Sequence, residues 1–361
     1  MKVPPASIKD VAKRAGVSAG TVSNVFSGNR PVKQGLVKRV REAASALGYE
    51  PDRAASQLRG GKGRVVGIVI PELSNPFFTS LIAAIETAAK AENFDIIVAS
   101  SNDDDGEEAA RVRTLLAWQP AGVVIVPASD EFPSRTLLQK AGLPFVVVDR
   151  VPRDFIGDTV SSDNFDAGLQ AASHLFELGH TDIVVAASSM RLQNIRERCS
   201  GIQAVLRELD TAPLSLIELG FSFESAAARL EQLVTERRRP TAFLALTNFG
   251  TLGVLATLQQ WNARVPDDVS VLGFDDYSWM RAVSPPLTAI RQPVEEMGRR
   301  AWSVLRRRIQ GDCEQHESIR LACTLERRRS TATCPSGIKL RVKRPSRMKP
   351  SRPDLGPPTG M

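Results

Sequence analysis

Short amphipathic segments separated by glycine-containing breaks occupy residues 1–50. Apolar residues at positions 8, 11, 12 and 15 have the spacing of a helix with one buried face. Ser7 can cap this helix with Asp10 three residues further on, and Gly16 can end it. Two more helices are predicted over residues 19–26 and 33–47, the latter closed by a C-cap glycine. The pattern predicts a three-helix domain over residues 1–50.

The break between the first two helices is typical of a helix-turn-helix motif, whose second helix lies in the DNA major groove. The second helix is predicted to bury Val22, Val25 and Phe26. Its open side carries Ala19, Gly20, Ser23 and Asn24. The hydroxyl groups of Ser18, Thr21 and Ser23 can donate to phosphates. The alternative is a structural three-helix bundle that contacts no DNA.

From residue 65 the pattern changes to apolar runs that alternate with amphipathic helices. Strands are predicted at 65–70, 95–99, 122–127, 144–149, 183–187, 216–219, 242–246 and 269–274. Helices are predicted at 77–92, 107–118, 134–141, 165–178, 195–208, 223–236 and 250–261. This βαβ repetition predicts two doubly wound parallel-sheet subdomains with a cleft between them.

Polar and aromatic residues follow the predicted strands, where ligands bind in folds of this kind. The segments concerned are 71–78, 102–105, Asp149, Arg150, Asn248, Phe249, Asp275 and Asp276. Carboxylates and amides can bind neighbouring hydroxyl groups, and an aromatic face can cover the apolar side of a ring. The outline is that of a sugar or nucleoside pocket. For each aspartate alone, a role as turn former or helix cap is the alternative.

Charge is concentrated at the two ends of this 361-residue chain. Residues 1–62 carry 12 basic and 4 acidic side chains, and residues 327–361 carry 10 and 1, which leaves 25 and 35 for the remainder. Basic ends on an acidic body predict a polyanionic partner, with nucleic acid the natural one. A merely solvated basic face is the alternative at each end. The proline-rich segment 332–361 is expected to be a disordered basic tail.

Several classes of protein are disfavoured by what the sequence lacks. It contains no apolar run of membrane-spanning length and no signal sequence, so we expect no membrane association and a cytoplasmic protein. Its four cysteines form no C-x-x-C pair and lie apart from the three histidines, so we expect no metal site. It contains no nucleophile elbow, P-loop or dinucleotide fingerprint, so we expect neither enzymatic activity nor a cofactor.

Several segments together carry a family resemblance. The helix-turn-helix segment 8–26 (IKDVAKRAGVSAGTVSNVF) resembles that of the lactose and galactose repressor family of bacterial transcription regulators. The segment 48–58 (GYEPDRAASQL) is similar to the hinge of that family. Further similar segments are 74–78 (SNPFF), 178–180 (LGH), 265–276 (VPDDVSVLGFDD), 285–288 (PPLT) and 291–293 (RQP). The resemblance extends over residues 7 to about 331.

The resemblance implies how DNA is read. Base contacts would come from Ala19, Gly20 and Asn24, with further DNA contacts from Asn29, Arg53 and Ala55. Residues 51–63 would form a hinge helix and linker, and the hinge would become helical only on DNA, wedging Leu58 into a minor-groove step. The alternative for Leu58 is an ordinary linker position.

The resemblance also implies a periplasmic-binding-protein-like core with three chain crossings. One subdomain would comprise 64–161 and 292–320, the other 162–291 and 321–331. Effector contacts would come from Phe78, Asp149, Arg196, Phe221, Asn248 and Asp275. Phe249 departs from the family, which usually has an acidic residue there, so the pocket is more apolar on that side or the position has no ligand role.

Together these features predict a homodimeric repressor that binds palindromic double-stranded operator DNA and responds to a small effector. A sugar or sugar derivative is the favoured effector, and a purine-like molecule is the alternative. The C-terminal segment lacks a leucine-heptad helix, which favours a dimer over a tetramer. The alternative from a different class is a ligand-binding receptor or enzyme that uses the three-helix head for protein contacts.

Overall fold

A computed structural model describes residues 6–27, 30–49, 63–211, 214–235, 239–312 and 315–334. Contacts divide the chain into two compact units, residues 1–64 and 65–361. Among the described residues, no helix is long and apolar enough to cross a membrane. The predicted contacts of Asn29, Arg53, Ala55 and Leu58, and the predicted tail from residue 335 onward, lie outside the described residues.

The first unit contains the three predicted helices, α1 (Ile8–Ala15), α2 (Ala19–Ser27) and α3 (Gln34–Leu47). Ser7 and Asp10 form the predicted capping box, and Gly16 ends α1 in the left-handed conformation with φ 63°. The Oγ of Ser18 accepts a hydrogen bond from the backbone N–H of Thr21 at 3.1 Å, which caps α2. Local sequence signals thus determine both ends of the helix-turn-helix.

The core of this small unit is formed mainly by α1 and α3, around Val11, Val22 and Val40. The prediction that Phe26 is buried is wrong, since its side chain is 37% exposed and lies 6.0 Å from the Tyr49 ring. Val25 is only partly buried. Among the described side chains of α2, Val22 is the one buried in this core, and Phe26 near the end of the helix remains accessible to solvent.

Two six-stranded sheets form the second unit, which confirms the predicted doubly wound architecture. The first sheet has the order β11-β5-β4-β3-β1-β2 and only parallel pairs. Its strands are β1 (Val65–Ile70), β2 (Asp95–Ser100), β3 (Gly122–Ile125), β4 (Phe145–Val148), β5 (Thr159–Ser162) and β11 (Ser318–Leu321). Its helices are α4 (Pro76–Lys90), α5 (Asp105–Ala117), α6 (Ser134–Lys140) and α12 (Val294–Ile309). We call this part the N half.

The second sheet has the order β12-β10-β9-β8-β6-β7, and β12 pairs antiparallel with β10. Its strands are β6 (Ile183–Ala187), β7 (Ser215–Glu218), β8 (Ala242–Ala245), β9 (Ser270–Phe274), β10 (Thr288–Arg291) and β12 (Thr324–Glu326). Its helices are α7 (Asn164–Glu177), α8 (Gln193–Glu208), α9 (Phe223–Thr235), α10 (Asn248–Gln260) and α11 (Ser278–Ala282). We call this part the C half.

The chain passes between the two sheets three times, from β5 to α7, from β10 to α12 and from β11 to β12. Each passage is only one or two residues long, at 163, 292–293 and 322–323. The halves are therefore not continuous segments, because β11 and α12 return to the N half after the C half is almost complete.

Glycines bring helices together in both halves. In the C half, a Cβ on Gly201 would lie 2.0 Å from the Phe165 carbonyl oxygen, and one on Gly168 would lie 2.0 Å from that of Arg198. Helices α7 and α8 therefore touch backbone to backbone. In the N half, a Cβ on Gly298 of α12 would lie 2.5 Å from the Ala84 side chain of α4.

The chain beyond β12 packs onto the C half. The fully buried Ser330 Oγ donates to the Val271 carbonyl at 2.6 Å and accepts from the Thr288 N–H at 2.7 Å. The backbone N–H of Cys334 donates to the Leu178 carbonyl at 2.8 Å, and the Cys334 side chain is buried. The predicted start of the tail at residue 332 is wrong, because Ala332 and Cys334 are hydrogen-bonded to the C half.

Candidate functional site

Two aspartates, one from each half, share a buried arginine in the cleft. Asp149 follows β4, Asp275 follows β9, and Arg198 lies on α8. Asp149 and Asp275 have positive φ angles of 62° and 83°, so the chain turns sharply at both strand ends. The electrostatic field of Arg198 acts on both carboxyl groups. We call these three residues the acidic cluster.

Arg198 is held rigidly beneath the cleft. Its side chain is buried, with Nε donating to Asn164 Oδ1 at 2.9 Å and Nη1 donating to the Leu246 carbonyl at 2.6 Å. Its guanidinium lies 4.1 Å from the centre of the Phe274 ring. Helix α8 can place the arginine there because α7 and α8 are in backbone contact beside it.

Burial raises the pKa of Asp149 and of Asp275 above the ordinary value for an aspartate. The positive charge of Arg198 opposes this shift at both carboxyl groups, and Arg150 also opposes it at Asp149. The charge of Asp275 raises the pKa of Asp149 further. One central arginine therefore partly compensates two buried acids.

The carboxyl group of Asp275 accepts several hydrogen bonds. Gln292 Nε2 donates to Asp275 Oδ1 at 2.6 Å, and the Asn248 backbone N–H also donates to this carboxyl group. Burial and the charge of Asp275 raise the pKa of the neighbouring Tyr277 phenol, which therefore stays protonated. The Asn248 side chain is buried, and its Oδ1 accepts from Trp279 Nε1 at 3.3 Å.

Two buried acceptor atoms beside the acidic cluster lack a hydrogen-bond donor among the described residues. Asp149 Oδ2 accepts from Asn194 Nδ2 at 3.3 Å, but the buried Asp149 Oδ1 has no hydrogen-bond partner among the described residues. The same holds for Gln292 Oε1. Buried acceptors without a donor are unfavourable, and ligand hydroxyl or N–H groups can satisfy them. A cavity of about 130 Å³, lined by Asp149, Asn164 and Asn194 among others, opens beside Asp149.

The predicted aromatic residues Phe78 and Phe221 come from opposite halves, and an arginine lies between them. The Arg150 guanidinium is 5.6 Å from the centre of the Phe78 ring and 5.7 Å from that of Phe221. It forms an ion pair with Asp103, and both side chains are nearly buried. We call this arrangement of Phe78, Phe221, Arg150 and Asp103 the aromatic slot.

The structure places Arg196 away from the acidic cluster. Its guanidinium pairs with Asp130 of the N half and donates to the backbone carbonyls of Met190 and Arg191, each at 2.8 Å. Arg196 therefore braces a loop at the cleft edge. Arg198, two positions further along α8, lies where the prediction placed Arg196.

Sequence reasoning could have found Arg198 from helix geometry. Residues two positions apart point to different sides of a helix, so Arg196 and Arg198 cannot share one role. Asn194 and Arg198 are four positions apart and share a face. Arg150 and Asp103 are among the strand-end residues predicted to line the pocket, but the sequence does not predict that they form an ion pair, because nothing in it links positions 103 and 150. Phe249 is half-buried in the first turn of α10.

The predicted DNA-reading residues that the structure describes occupy one region of the first unit. Ser18 and Gly20 are exposed at the start of α2, and Ala19, Thr21, Ser23 and Asn24 are partly exposed. Ser18 Oγ and Thr21 Oγ1 are 3.0 Å apart. Ala19 also packs partly against the small core, so it is less open than predicted.

Comparison with known proteins identifies the family. Residues 7–52 match the model described as bacterial regulatory proteins of the lacI family, and residues 172–331 match a periplasmic binding protein-like domain. The HTH-type transcriptional repressor PurR of Pectobacterium atrosepticum is 31% identical over 337 residues, which cover 91% of this chain and 98% of that protein. The chain belongs to the lacI family, and it is a ligand-responsive DNA-binding transcriptional regulator.

Solved structures agree with this assignment. A lac repressor dimer bound to operator and an anti-inducer has a TM-score of 0.80 and 26% identity, and the match covers 91% of this chain and 99% of that chain. A lacI-family regulator of Enterococcus faecium with bound ribose has a TM-score of 0.67 and 28% identity, covering 75% and 99%. The related proteins named here are transcriptional regulators or repressors.

Proposed function

We propose that this chain is a homodimeric repressor whose affinity for an inverted-repeat operator is set by a small effector bound in the cleft. The observation that carries the proposal is the acidic cluster, where carboxylates from both halves share Arg198 and the buried Asp149 Oδ1 has no donor among the described residues. The chain performs no catalytic step in this proposal and acts on DNA in the cytoplasm.

The effector that suits the cluster is a sugar or sugar derivative. Asp149, Asp275 and Asn248 offer acceptors for ring hydroxyl groups, and Arg198 offers a forked donor for neighbouring oxygens. Ribose is bound to the E. faecium relative, which supports this class. A planar heterocycle is the second candidate, and it is favoured by the aromatic slot, where a flat guanidinium already lies between two rings.

The mechanism requires the effector to bind differently to two arrangements of the halves. An effector that contacts Asp149 and Asp275 at once favours one relative position of the halves over others. The effect on DNA binding equals this difference in binding free energy, typically about 1 to 3 kcal/mol, or roughly 5- to 150-fold in affinity. Transmission to the DNA would run through the segment 51–63.

DNA recognition is proposed for the exposed start of α2. Asn24 would hydrogen-bond a base edge, while Ala19 and Gly20 would make close apolar contacts. Ser18, Thr21, Ser23, Asn29, Arg53 and Ala55 would contact the backbone or groove, and Leu58 would wedge a minor-groove step. Because each dimer presents two such helices, the operator should be an inverted repeat.

The test is a genome-wide selection of DNA bound by the full chain, followed by titration of ribose and purine bases against the selected site. We expect an inverted repeat whose affinity changes at least fivefold with one ligand. Asn24→Ala should relax sequence preference, whereas Ser45→Ala, on the exposed side of α3, should not. Binding without any preference for symmetric DNA contradicts the proposal.

A matched pair of arginine variants locates the effector site. We expect Arg198→Ala to abolish the effect of ligand on DNA binding, because it removes the positive charge that acts on both Asp149 and Asp275. Arg196→Ala removes a brace at the cleft edge and should retain the response. If Arg196→Ala abolishes the response and Arg198→Ala does not, the acidic cluster is not the effector site.

A further inference from the structure

A fully buried acid of the N half takes no part in the proposed effector site. Glu108 lies on α5, and its Oε2 accepts a hydrogen bond from the Ala128 backbone N–H at 2.7 Å. Asp105, one turn earlier on α5, accepts from Ser129 Oγ with both carboxylate oxygens, at 2.8 and 2.9 Å. Two acids of α5 therefore bind two consecutive residues of the loop that follows β3.

The buried position of Glu108 makes its contact with this loop hard to replace. Burial raises the pKa of Glu108, the hydrogen bond from Ala128 lowers it, and the charge of Asp105 raises it further. A buried acceptor that loses its donor is unfavourable, because water does not replace the donor. The position of the loop is therefore determined by the interior of the N half.

The next residue of the loop reaches the C half. Asp130 forms an ion pair with Arg196 of α8, and its Oδ1 accepts from the Gln193 backbone N–H at 3.3 Å. Arg196 Nη2 also donates to Gln193 Oε1 at 2.7 Å. A negative charge is favourable at this place, because Gln193 is the first residue of α8 and its N–H lies at the positive end of the helix dipole. One N-half carboxylate therefore binds both the backbone and a side chain at the start of α8.

The same part of α8 contacts the N half at two further points. Asn194 Nδ2 donates to Asp149 Oδ2 at 3.3 Å, and Glu197 pairs with Arg320 of β11 at 3.3 Å. Arg198 of the acidic cluster is the next residue of the helix. The helix that carries the central arginine is therefore bound to the N half by contacts between protein groups alone.

We propose that the segment 128–130 is a clasp that holds the start of α8 against the N half, and that Glu108 and Asp105 are its positioning residues. The proposal rests on the proposed effector site, because α8 carries Arg198. The clasp stabilises the arrangement in which Asp149 and Arg198 lie in one cluster. An effector that requires this arrangement then uses less of its binding free energy to bring the halves together. The strength of the clasp thereby sets the effector concentration at which the regulator responds.

Hydrogen–deuterium exchange of the full chain without ligand, measured by mass spectrometry, tests the clasp. The C-half peptide 188–196 is compared between the wild type, Asp130→Ala and Glu131→Ala. Glu131 is a matched control, because it is the adjacent acid and is exposed. We expect Asp130→Ala to accelerate exchange of this peptide at least about threefold, and Glu131→Ala to leave it unchanged. Unchanged exchange in Asp130→Ala, or equal acceleration in Glu131→Ala, overturns the proposal.

The positioning role of Glu108 is tested with the same peptide. Glu108→Gln keeps an acceptor for the Ala128 N–H, whereas Glu108→Ala removes it. We expect only Glu108→Ala to accelerate exchange of 188–196, although the substituted residue lies in the other half. A role in the N-half core alone would leave this C-half peptide unchanged. Equal exchange in the two Glu108 variants therefore contradicts the positioning role.

Asp105→Ala provides a second test if Glu108→Ala does not fold. It removes the acceptor for Ser129 Oγ from a partly exposed position, and Glu107→Ala is its control on the same helical turn. We expect Asp105→Ala to accelerate exchange of 188–196 about twofold and Glu107→Ala to have no effect. The absence of this difference overturns the role of α5. The assay uses neither DNA nor effector, so a failure here is distinct from a failure to find an operator or a ligand.

Discussion

The N half and the C half have the same strand order but differ in how their helices meet. In the N half, Gly298 of α12 faces the methyl group of Ala84, and a Cβ added at Gly298 would lie 3.2 Å from the Ile85 backbone nitrogen. In the C half, Gly201 and Gly168 face backbone carbonyls, and an added Cβ would lie 2.0 Å from either one. One topology therefore accommodates a side-chain contact in one half and a backbone contact in the other.

The backbone contact lies next to the acidic cluster. Gly168 faces the carbonyl of Arg198, the residue that links Asp149 and Asp275 electrostatically. The Ala84 methyl carbon is fixed to its own backbone and cannot rotate away, so the contacts in both halves relax only by moving a helix, and the shorter 2.0 Å contacts of the C half require the larger movement. The C half therefore tolerates an added side chain between its helices less well than the N half does. Such a change would also disturb the proposed effector site.

The largest expected effect is that of Gly201→Ala. The added methyl group must separate α7 from α8, which we expect to cost at least about 3 kcal/mol of unfolding free energy and to displace Arg198. Urea unfolding followed by tryptophan fluorescence measures the loss, since Trp261 is buried in the C half and Trp302 in the N half.

Gly298→Ala is the matched change in the N half. Its added methyl group would lie 2.5 Å from the Ala84 methyl carbon, a shallower overlap than the 2.0 Å at Gly201, so we expect a loss of about 1 to 2 kcal/mol. The acidic cluster should remain intact, and any ligand response with it. Equal losses for the two variants would contradict the distinction between the halves.

The next effect is a pH dependence that originates at His174 in the C half. Burial lowers the pKa of His174 to about 4, with the charges of Arg327 and His180 acting in the same direction. The unfolded chain therefore takes up this proton at a higher pH than the folded protein does. The contribution of His174 to the free energy of unfolding is fully present above pH 6.5 and is lost as the pH falls from about 6.5 to 4. The loss then levels off at about 3 kcal/mol.

Hydrogen bonding agrees with a neutral His174. Thr288 Oγ1 accepts from the Arg328 N–H at 3.0 Å, so its hydrogen is available for Thr331, whose own hydrogen is then available for His174 Nε2 at 2.9 Å. The measurement is the urea midpoint between pH 7 and 4 for the wild type and His174→Gln. A parallel decline in both proteins would show that His174 is not responsible, because His180 and Asp158, whose pKa values are also lowered in the folded protein, are common to both.

The last comparison, which contains the smallest expected effect, concerns one serine hydroxyl group in each half. Ser330→Ala in the C half leaves the Thr288 N–H and the Val271 carbonyl without their partner, which we expect to cost about 1 to 3 kcal/mol. Ser318→Ala in the N half removes an acceptor for Thr159 Oγ1 at an exposed position, where water can replace it. We expect a loss below about 0.5 kcal/mol, measured by the same unfolding assay.

The sequence is most informative where local patterns determine structure. The strands 65–70 and 183–187 and the helix 8–15 are predicted with their observed bounds, because their apolar spacing and caps are local. The strands β5, β10, β11 and β12 are not predicted. They are three or four residues long, and β11 pairs with β5 across more than 150 positions, so no local signal marks them.

The helix α12 is not predicted either, although Met297, Ala301 and Leu305 have helical spacing and are buried. For the site, Asp149 and Asp275 are predicted, and the structure brings them together around one arginine. The choice of Arg196 over Arg198 comes from the resemblance, although the helical spacing of Asn194 and Arg198 already favoured Arg198. The arrangement of the aromatic slot is visible only in the structure, because its residues come from distant parts of the chain.

The three short passages between the sheets have a consequence for dissection of the molecule. A fragment ending after β5 would lack α12, whose Trp302 and Leu305 fill the N-half core, and would expose that core to solvent. Neither half can therefore be produced by cutting the gene once. A permuted gene that joins α12 and β11 directly to the 63–162 segment would be needed to obtain an N half able to fold by itself.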